Sequence, residues 1–190
     1  MPTISLCMIV KNEEEVLANC LESVQEVCDE IIIVDTGSTD RTKEIAQKFT
    51  DKIYDFKWID DFSAARNYSF SLATKDYILW LDADDVIPPK ELEKFIKLKN
   101  SLNPDVDSVM MNYITSFDDN GNPSFQFKRH RLVKRSKGFK LVGPVHEYIA
   151  VHGNITEAEI SILHRKNDKK VNLDSVGRNL RIYENRIKNG

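Results

Sequence analysis

The stretch EIIIVDTGSTD, residues 30–40, decides the fold class of this chain. Its four consecutive β-branched residues, Ile31 to Val34, are typical of a strand that is buried on both faces of a sheet. The polar residues after them are types that cap helices. The helix predicted next turns Ile45, Ala46 and Phe49 inward. The stretch therefore predicts one strand–helix step of a βαβ unit.

The same alternation extends to both sides of this stretch. Strands are predicted at residues 4–10, 52–56 and 77–81, and a helix at residues 62–73. Strands that alternate with helices predict a mostly parallel, Rossmann-like α/β sheet flanked by helices.

The helix after the first strand carries a start signal. Asn12 is a good N-cap residue, and Glu15 stands three residues later, as in a capping box. We expect this helix to turn one face toward the sheet, formed by Val16, Leu17, Cys20, Leu21 and Val24.

The pattern changes in the second half of the chain. Residues 108–117 and 125–133 are predicted strands, and the turn sequence DNG at residues 119–121 joins them into a hairpin. This predicts a smaller antiparallel β region. A helix at residues 172–190 follows, with Leu173, Val176, Leu180, Tyr183 and Ile187 on one face. We therefore expect one domain over residues 1–171, with halves at 1–105 and 106–171, and a final helix that leads into further residues.

Length and composition narrow the functional class. The chain has 190 residues, with 27 Lys and Arg against 30 Asp and Glu, so its formal net charge is −3. This balance disfavours sequence-independent binding to nucleic acid, which needs a basic surface. No apolar run reaches the roughly 18 residues of a membrane span, and the N-terminus lacks the features of a secretion signal. The three cysteines form no C-x-x-C motif, so we expect reduced thiols in a cytoplasmic protein that is not integral to a membrane.

Three polar clusters follow predicted strand ends. They are the sequences KN at residues 11–12, DTGS at 35–38 and DADD at 82–85. Ligands of parallel sheets bind beyond the carboxyl ends of the strands, near the switch point of the strand order. We therefore expect the three clusters to meet at one edge of the sheet.

The sequence DADD is the strongest candidate for chemistry. Three carboxylates within four residues repel one another unless a cation or solvent relieves them. Mg²⁺ and Mn²⁺ take such oxygen ligands together with substrate phosphates. The alternative is a solvated acidic turn that caps the helix beginning near Pro89.

Two further polar positions have two interpretations each. Asp35 can accept a hydrogen bond from a nucleobase, or it can bind only the backbone donors of its own turn. Arg66, in the sequence RN at residues 66–67, can pair with base, ribose or phosphate, or it can form a surface salt bridge.

Four blocks taken together resemble a known family. They are IVKNEE at residues 9–14, IVDTGSTD at 33–40, ARN at 65–67 and LDADD at 81–85, and in order and spacing they are similar to the family 2 glycosyltransferases of the GT-A fold. The match covers roughly the first 90 residues. The sequences GPVHE at 143–147 and RNL at 178–180 resemble a bacterial branch of that family, whose members often carry further helical repeats.

The resemblance implies an inverting transfer of a sugar from a nucleotide-sugar donor, most often a UDP-sugar, with Mn²⁺ or Mg²⁺. Residues 1–105 would then be the nucleotide-sugar-binding half and residues 106–171 the acceptor or closing half. By position, Asp35 would contact the base, Asp82 the ribose or the metal, and Asp84 the metal. The remaining donor-binding positions implied are Val10, Asn12, Arg66 and Ala83. Thr36 departs from many relatives, which have a second Asp there.

The transfer also needs a base that takes the proton of the acceptor. Glu147 is the candidate, because few other acidic residues of the second half stand in a motif-like setting. The alternative is a surface glutamate beside a strand, and Asp85 is the second candidate base. His146 can orient the acceptor or Glu147, or be structural.

Two late residues complete the predicted site. GT-A enzymes often use a late histidine as a metal ligand, and the resemblance implies this role for His164, at the end of a predicted strand. Residues 128–140 hold seven Lys and Arg, which can close over a diphosphate or attract an anionic acceptor, or can be a solvated hairpin face. Arg131 is the candidate for an inward-pointing donor to the nucleotide sugar.

Two alternative functions are considered. A sugar nucleotidyltransferase needs a glycine-rich basic loop after the first strand, whereas residues 11–15 read KNEEE. A non-catalytic nucleotide-sugar-binding module would keep the pocket without turnover. The acceptor can be a glycan, a lipid carrier or a peptide. The motifs of P-loop and dinucleotide-binding proteins do not occur in the sequence.

Overall fold

A computed structural model describes residues 1–118, 120–165 and 173–189, with the side chains of 173–176 and 189 outside the description. The strands are β1 (Ile4–Val10), β2 (Glu30–Asp35), β3 (Ile53–Asp55), β4 (Tyr77–Trp80), β5 (Asp85–Val86), β6 (Ser108–Phe117), β7 (Pro123–Lys134), β8 (Leu141–Val142), β9 (Tyr148–Ile149) and β10 (Ile155–His164). The helices are α1 (Leu17–Val24), α2 (Thr42–Ala46), α3 (Phe62–Ser71), α4 (Pro89–Ser101) and α5 (Leu173–Asn189).

A single large sheet organises the described part of the chain. Its eight strands follow the order β3-β2-β1-β4-β7-β6-β10-β5, and β8 and β9 form a separate antiparallel pair. The first four are parallel, as the alternation of strands and helices predicts. Because β2 and β3 lie on one side of β1 and β4 on the other, the strand order switches direction between β1 and β4.

The predicted hairpin is present and extends the sheet. Strands β6 and β7 pair antiparallel, β7 joins the edge of β4, and β10 adds to β6 in parallel. Asp119 of the predicted turn lies outside the described residues, and Asp118 accepts the backbone N–H groups of Asn120 (3.0 Å) and Asn122 (2.7 Å). The second half of the chain is thereby joined to the parallel strands of the first half in one sheet.

The sheet is covered on both faces, which explains the continuous apolar strands. Leu6 and Met8 of β1 face the core under α1 and α4, whereas Cys7 faces the core under α3. Phe95 of α4 and Phe70 of α3 anchor the two layers. The cysteines of the described chain are free, and burial raises the pKa of the Cys7 thiol.

The start of α1 differs from the prediction. The helix begins at Leu17, and Val16 occupies its N-cap without a side-chain hydrogen bond. Asn12 has a positive φ of 55° and binds Thr39 instead, so the predicted capping box with Glu15 is wrong. The predicted inner face is otherwise present, with Leu17, Cys20, Leu21 and Val24 buried.

At the edge of the sheet away from the polar clusters, a buried glutamate joins three segments. The Glu30 carboxylate accepts hydrogen bonds from Ser5, from the backbone and hydroxyl of Thr74 (2.9 and 2.8 Å) and from Lys52. Burial alone would raise the pKa of Glu30, but these donors outweigh it and lower the pKa to about 2.

The final helix α5 packs through a different residue than expected. Ile182 is buried, whereas Leu180, Tyr183 and Ile187 of the predicted apolar face are exposed. Asn172 and the side chains of Leu173 and Val176 lie outside the described residues. Within the described chain, no helix has the length and apolar character needed to cross a membrane.

Candidate active site

A cavity lies where the strand order switches direction, beyond the carboxyl ends of β1 and β4. Its volume of about 650 Å³ falls in the range of small-ligand sites. Its lining residues come from all three predicted polar clusters and from α3 and α5: Ile9, Val10, Lys11, Asn12, Glu13, Thr36, Trp58, Phe62, Arg66, Asp82, Ala83, Asp84, Arg178 and Arg181. The expectation that the three clusters meet at one edge is confirmed.

The turn after β1 is fixed to the turn after β2. The Asn12 backbone N–H donates to Ser38 Oγ (3.0 Å), and Asn12 Oδ1 accepts the Thr39 N–H (2.8 Å). Thr36 donates its hydroxyl to the Val10 carbonyl (3.1 Å), which an ionised aspartate at this position could not do. Val10 and Asn12 therefore line the cavity as parts of one rigid double turn.

One of the two carboxylate oxygens of Asp35 accepts hydrogen bonds from the backbone of its own turn. Oδ1 accepts the backbone N–H groups of Gly37 and Ser38, both at 2.9 Å, while Oδ2 is buried without a hydrogen-bond partner. Gly37 has a φ of 107°, which favours glycine. The backbone interpretation thus explains one oxygen. Contact of the other with a nucleobase stays a prediction.

Asp85 is part of the core rather than of the cavity. It has no exposed surface, its Oδ2 accepts the Asp82 N–H (2.9 Å) and its Oδ1 accepts the Tyr113 hydroxyl (2.9 Å). A general base must reach the acceptor, so this burial contradicts Asp85 as the second candidate base. Its carboxylate instead holds the turn that presents Asp82, Ala83 and Asp84 to the cavity.

Arg131 points inward as predicted, but toward protein. Its Nη2 lies 3.1 Å from Asp85 Oδ2, and its Nη1 donates to the Trp80 carbonyl (3.1 Å). The guanidinium lies between the rings of Trp80 and Tyr113, at 4.4 and 4.3 Å from their centroids, and has no exposed surface. The predicted contact of Arg131 with the nucleotide sugar is therefore wrong, because its charge balances the buried Asp85.

Arg66 connects two candidate residues from the two halves of the chain. It is 7 % exposed, its Nη2 pairs with Asp82 and its Nε pairs with Glu147. Burial alone would raise the pKa of Asp82, but Arg66 and Arg131 outweigh it and hold this pKa well below its usual range. The interpretation of Arg66 as a surface salt bridge is wrong, since both ion pairs are shielded at the cavity.

The turn that carries Glu147 is docked on the start of α3. Gly143 and His146 have positive φ angles of 107° and 55°, and the Pro144 carbonyl accepts the Phe62 N–H (2.9 Å). The Glu147 side chain is 10 % exposed, so the alternative of a surface glutamate is wrong. His146 is exposed at the same turn.

A second group of ligand-type atoms lies beside the cavity. His164 Nδ1 is 3.2 Å from Asp84 Oδ1, 3.3 Å from Asp85 Oδ1 and 2.9 Å from the Tyr113 hydroxyl. Burial alone would lower the pKa of His164, but the two carboxylates outweigh it and raise the pKa to about 10. Asp84, Asp85 and His164 each offer a ligand atom within 4.8 Å of the others, and carboxylate oxygens are the ligands that Mn²⁺ and Mg²⁺ prefer. The donor set therefore fits the predicted metal at Asp84 and His164, whereas Asp82 is not part of this group and pairs with Arg66.

The basic segment at residues 128–140 has partners elsewhere. Lys128 pairs with Glu157 and Glu159, and Lys137 pairs with Asp107. The interpretation as a solvated hairpin face explains these side chains better than closure over a diphosphate.

The sequence of the chain matches a known protein family. The sequence profile described as Glycosyl transferase family 2 matches residues 5–158. The chain belongs to glycosyltransferase family 2.

Two relatives of this family 2 chain come from bacteria. It is 48 % identical over 102 residues to a "TPR repeat-containing protein" of Synechococcus elongatus, covering 54 % of this chain and 25 % of that one. It is 34 % identical over 149 residues to the "SPbeta prophage-derived glycosyltransferase SunS" of Bacillus subtilis, covering 77 % and 34 %. The chain thus spans a quarter to about a third of the length of these curated relatives.

A solved structure has the same fold as this family 2 chain. It is glucosyl-3-phosphoglycerate synthase from Mycobacterium tuberculosis in complex with Mn²⁺ and UDP-glucose, with a TM-score of 0.58 and 13 % identity. The match covers 96 % of this chain and 77 % of the other, and it shows the GT-A fold predicted from the sequence.

Several cavity residues of this family 2 chain escaped the sequence reasoning. Burial, with Asp84 and Asp82 nearby, raises the pKa of Glu13 to about 7. Trp58 and Phe62 form an edge-to-face pair at 4.8 Å. Arg178 was visible only as part of the family-like sequence RNL, and no local pattern distinguishes Arg181 or Glu13 from surface residues.

Proposed function

We propose that this chain transfers a sugar from a nucleotide-sugar donor, a UDP-sugar in the first instance, to an acceptor with inversion at the anomeric carbon. The observation that carries the proposal is Arg66, which lines the cavity and pairs with Asp82, also in the lining, on one side and with Glu147, outside the lining, on the other. Donor-binding and acceptor-activating candidates from the halves 1–105 and 106–171 thereby share one site.

The metal of the proposed reaction is Mn²⁺ or Mg²⁺. Asp84 and His164 would hold it, with Asp82 as a further oxygen donor, since these side chains offer the ligand types such ions prefer. When bound, the ion supplies positive charge to the leaving diphosphate.

The nucleotide is assigned to the double turn beyond β1 and β2. Val10 and Asn12 line this part of the cavity, and Ala83 lines it from the turn after β4. Asp35 is not among the lining residues, and its buried Oδ2, which has no hydrogen-bond partner among the described residues, is the acceptor proposed for a base N–H. UDP is proposed because the fold neighbour was solved with Mn²⁺ and UDP-glucose. A buried acceptor without a partner is costly, so a base that donates to it would gain affinity.

Glu147 is the proposed base. Its carboxylate takes the acceptor proton while the acceptor atom forms its bond to the anomeric carbon and the bond from that carbon to the diphosphate oxygen breaks. Because this is a single displacement, the product has inverted configuration. Arg66 positions the Glu147 carboxylate. Its second ion pair neutralises the charge of Asp82.

The acceptor class is proposed only as a glycan, a lipid carrier or a peptide. The free cysteines of the described chain support a reducing compartment, so we place the reaction in the cytoplasm.

The test measures release of UDP from a panel of UDP-sugars with Mn²⁺, alongside calorimetric titration of UDP with and without the ion. Metal-dependent UDP binding together with release of UDP is the expected result. Binding without release would favour the non-catalytic module, and consumption of nucleoside triphosphate with a sugar phosphate would favour the nucleotidyltransferase. Absence of UDP binding under all conditions would refute the proposed donor.

A further inference from the structure

Two arginines of α5 line the cavity together with the residues predicted from the sequence. Arg178 and Arg181 are three positions apart on the helix, so they lie on one face of it. They share the cavity lining with Asp82 and Asp84.

The helix that presents these arginines has contacts that do not involve them. Ile182, on the same helix, is 2 % exposed, and the Tyr183 hydroxyl donates to the Val145 carbonyl at 3.4 Å. Val145 belongs to the turn that carries Glu147. The attachment of α5 therefore does not rest on the two arginines alone.

Among the residues that the structure describes, the hydrogen-bond donors of Arg178 are incompletely paired. Its Nε is buried without a hydrogen-bond partner there, and its guanidinium lies over the Phe62 ring at 4.8 Å. Burial and the neighbouring Arg181 lower the pKa of Arg178, and Glu13 offsets this only in part. A buried donor that lacks a partner is costly, and an anion between the two guanidinium groups would relieve both the missing bond and their repulsion.

In the described part of the chain, Arg181 pairs with Asp60, which is not among the cavity-lining residues. Its Nη2 is 3.4 Å from Asp60 Oδ1, with the two side chains 59 % and 34 % exposed. Such an exposed pair contributes little and leaves most of the donors of the guanidinium available.

We propose that Arg178 and Arg181 form a subsite for a phosphate group, an inference that rests on the proposed function. Guanidinium groups bind phosphate oxygens through paired, charge-assisted hydrogen bonds. The phosphate is either the diphosphate of the donor or a phosphate carried by the acceptor. In both cases α5 completes the substrate site.

The test titrates UDP, and separately uridine, into the 190-residue chain with Mg²⁺. The variants are Arg178→Gln, Arg181→Gln and both together, and Arg178→Lys keeps the charge without the paired donors. Arg186→Gln is the matched control, because Arg186 is an exposed arginine of the same helix. Thermal unfolding of every variant checks that the fold persists.

Asp60→Asn separates phosphate binding from helix attachment. Asparagine tolerates the φ of 58° at this position and keeps an oxygen for the Trp58 indole N–H, which donates to Asp60 Oδ1 at 2.8 Å. If Arg181 acted only by pairing with Asp60, this variant would weaken UDP binding as Arg181→Gln does. We expect it to leave UDP affinity unchanged.

If the subsite holds the diphosphate of the donor, each glutamine variant weakens UDP binding about tenfold. Uridine affinity and the control stay unchanged, and Arg178→Lys recovers part of the loss. If the subsite instead holds a phosphate of the acceptor, the variants bind UDP as tightly as the parent chain does. Methyl phosphate, titrated into the complex with UDP and Mg²⁺, then binds the parent chain but not the double variant. Equal binding of both probes by parent and double variant would overturn the subsite.

A separate measurement distinguishes failure of the proposed function from failure of the arginine subsite. If the parent chain binds no UDP, the proposed donor fails, and pyrophosphate is titrated into parent and double variant. Loss of pyrophosphate binding in the double variant would still support the arginine subsite, and equal binding would overturn it.

Discussion

Arg66 and Glu147 are 81 residues apart in the sequence, and the Nε of Arg66 donates to a Glu147 carboxylate oxygen. The same guanidinium pairs with Asp82, so one side chain fixes the distance between the acidic turn after β4 and the turn at residues 143–147. Rigid placement of catalytic groups is a large part of enzymatic rate enhancement, and under the proposed function the buried Arg66 would provide it.

Replacement of Glu147 tests the base. We expect Glu147→Gln to lower the transfer rate by about 10²- to 10⁴-fold, because an amide cannot take the acceptor proton. UDP affinity should be unchanged, since the amide oxygen can still accept from Arg66. Transfer assays and UDP titrations measure the two effects. A smaller loss is expected for a thiol acceptor, whose thiolate is already nucleophilic. A full transfer rate in the variant with a hydroxyl acceptor would rule out Glu147 as the base.

Replacement of Asp84 tests the metal site. Asp84→Asn removes an anionic ligand from the group formed with His164, and we expect it to abolish the dependence of UDP affinity on Mn²⁺ while the fold persists. Calorimetric titrations with and without Mn²⁺, together with thermal unfolding, measure this. Asp105→Asn is the control, since Asp105 is exposed and distant from the cavity lining. Retained metal dependence in Asp84→Asn would contradict the site.

Replacement of Arg131 tests its structural assignment. Arg131→Met leaves the buried Asp85 carboxylate without its counter-charge, and we expect the free energy of unfolding to fall by about 3–5 kcal/mol. Urea unfolding measures the loss. Lys128→Met on the same strand breaks only exposed ion pairs, with Glu157 and Glu159, and should cost about 1 kcal/mol or less. Equal losses of unfolding free energy in the two variants would show that the buried pair contributes no more to stability than the exposed pairs.

The Glu30 carboxylate gives a pH dependence with a defined sign. Its pKa is lowered to about 2 in the folded chain from an ordinary 4.5, so the stabilisation that it provides is complete above about pH 4.5. It is lost as the pH falls from about 4.5 to about 2, because the unfolded chain takes up the proton first. The contribution is on the order of 2 kcal/mol, since the partner Lys52 is partly exposed.

Unfolding measured between pH 7 and pH 2.5 tests this dependence. Glu30→Gln should be less stable than the parent at pH 7, and the difference should shrink as the solution becomes acidic. Glu93→Gln, at an exposed position of α4, is the control. A stability difference that stays constant with pH would contradict the low pKa of Glu30.

Local patterns in the sequence predicted the strand–helix alternation, because β1, β2 and β4 are buried along most of their length and polar turns separate the strands from the helices. The edge where residues 11–12, 35–38 and 82–85 meet follows from the parallel topology alone. The same reasoning failed at Asn12, where the Thr39 N–H of a distant turn competes for the side chain that a helix cap would use.

Local sequence patterns could not predict the long-range ion pairs. An inward-pointing Arg131 is predictable from its apolar neighbours, but nothing in its vicinity tells whether it meets a ligand or a buried carboxylate such as Asp85. The approach of Glu147 to Arg66 likewise depends on how the turn at residues 143–147 docks on α3, which no local spacing encodes.

Both tryptophans of the chain stand at the site. Trp58 lines the cavity, and the Trp80 ring lies 5.0 Å from the guanidinium carbon of Arg66 and 4.4 Å from that of Arg131. Indole fluorescence is sensitive to nearby charge, and no tryptophan elsewhere contributes background emission. The unlabelled protein thus carries an intrinsic optical reporter of occupancy.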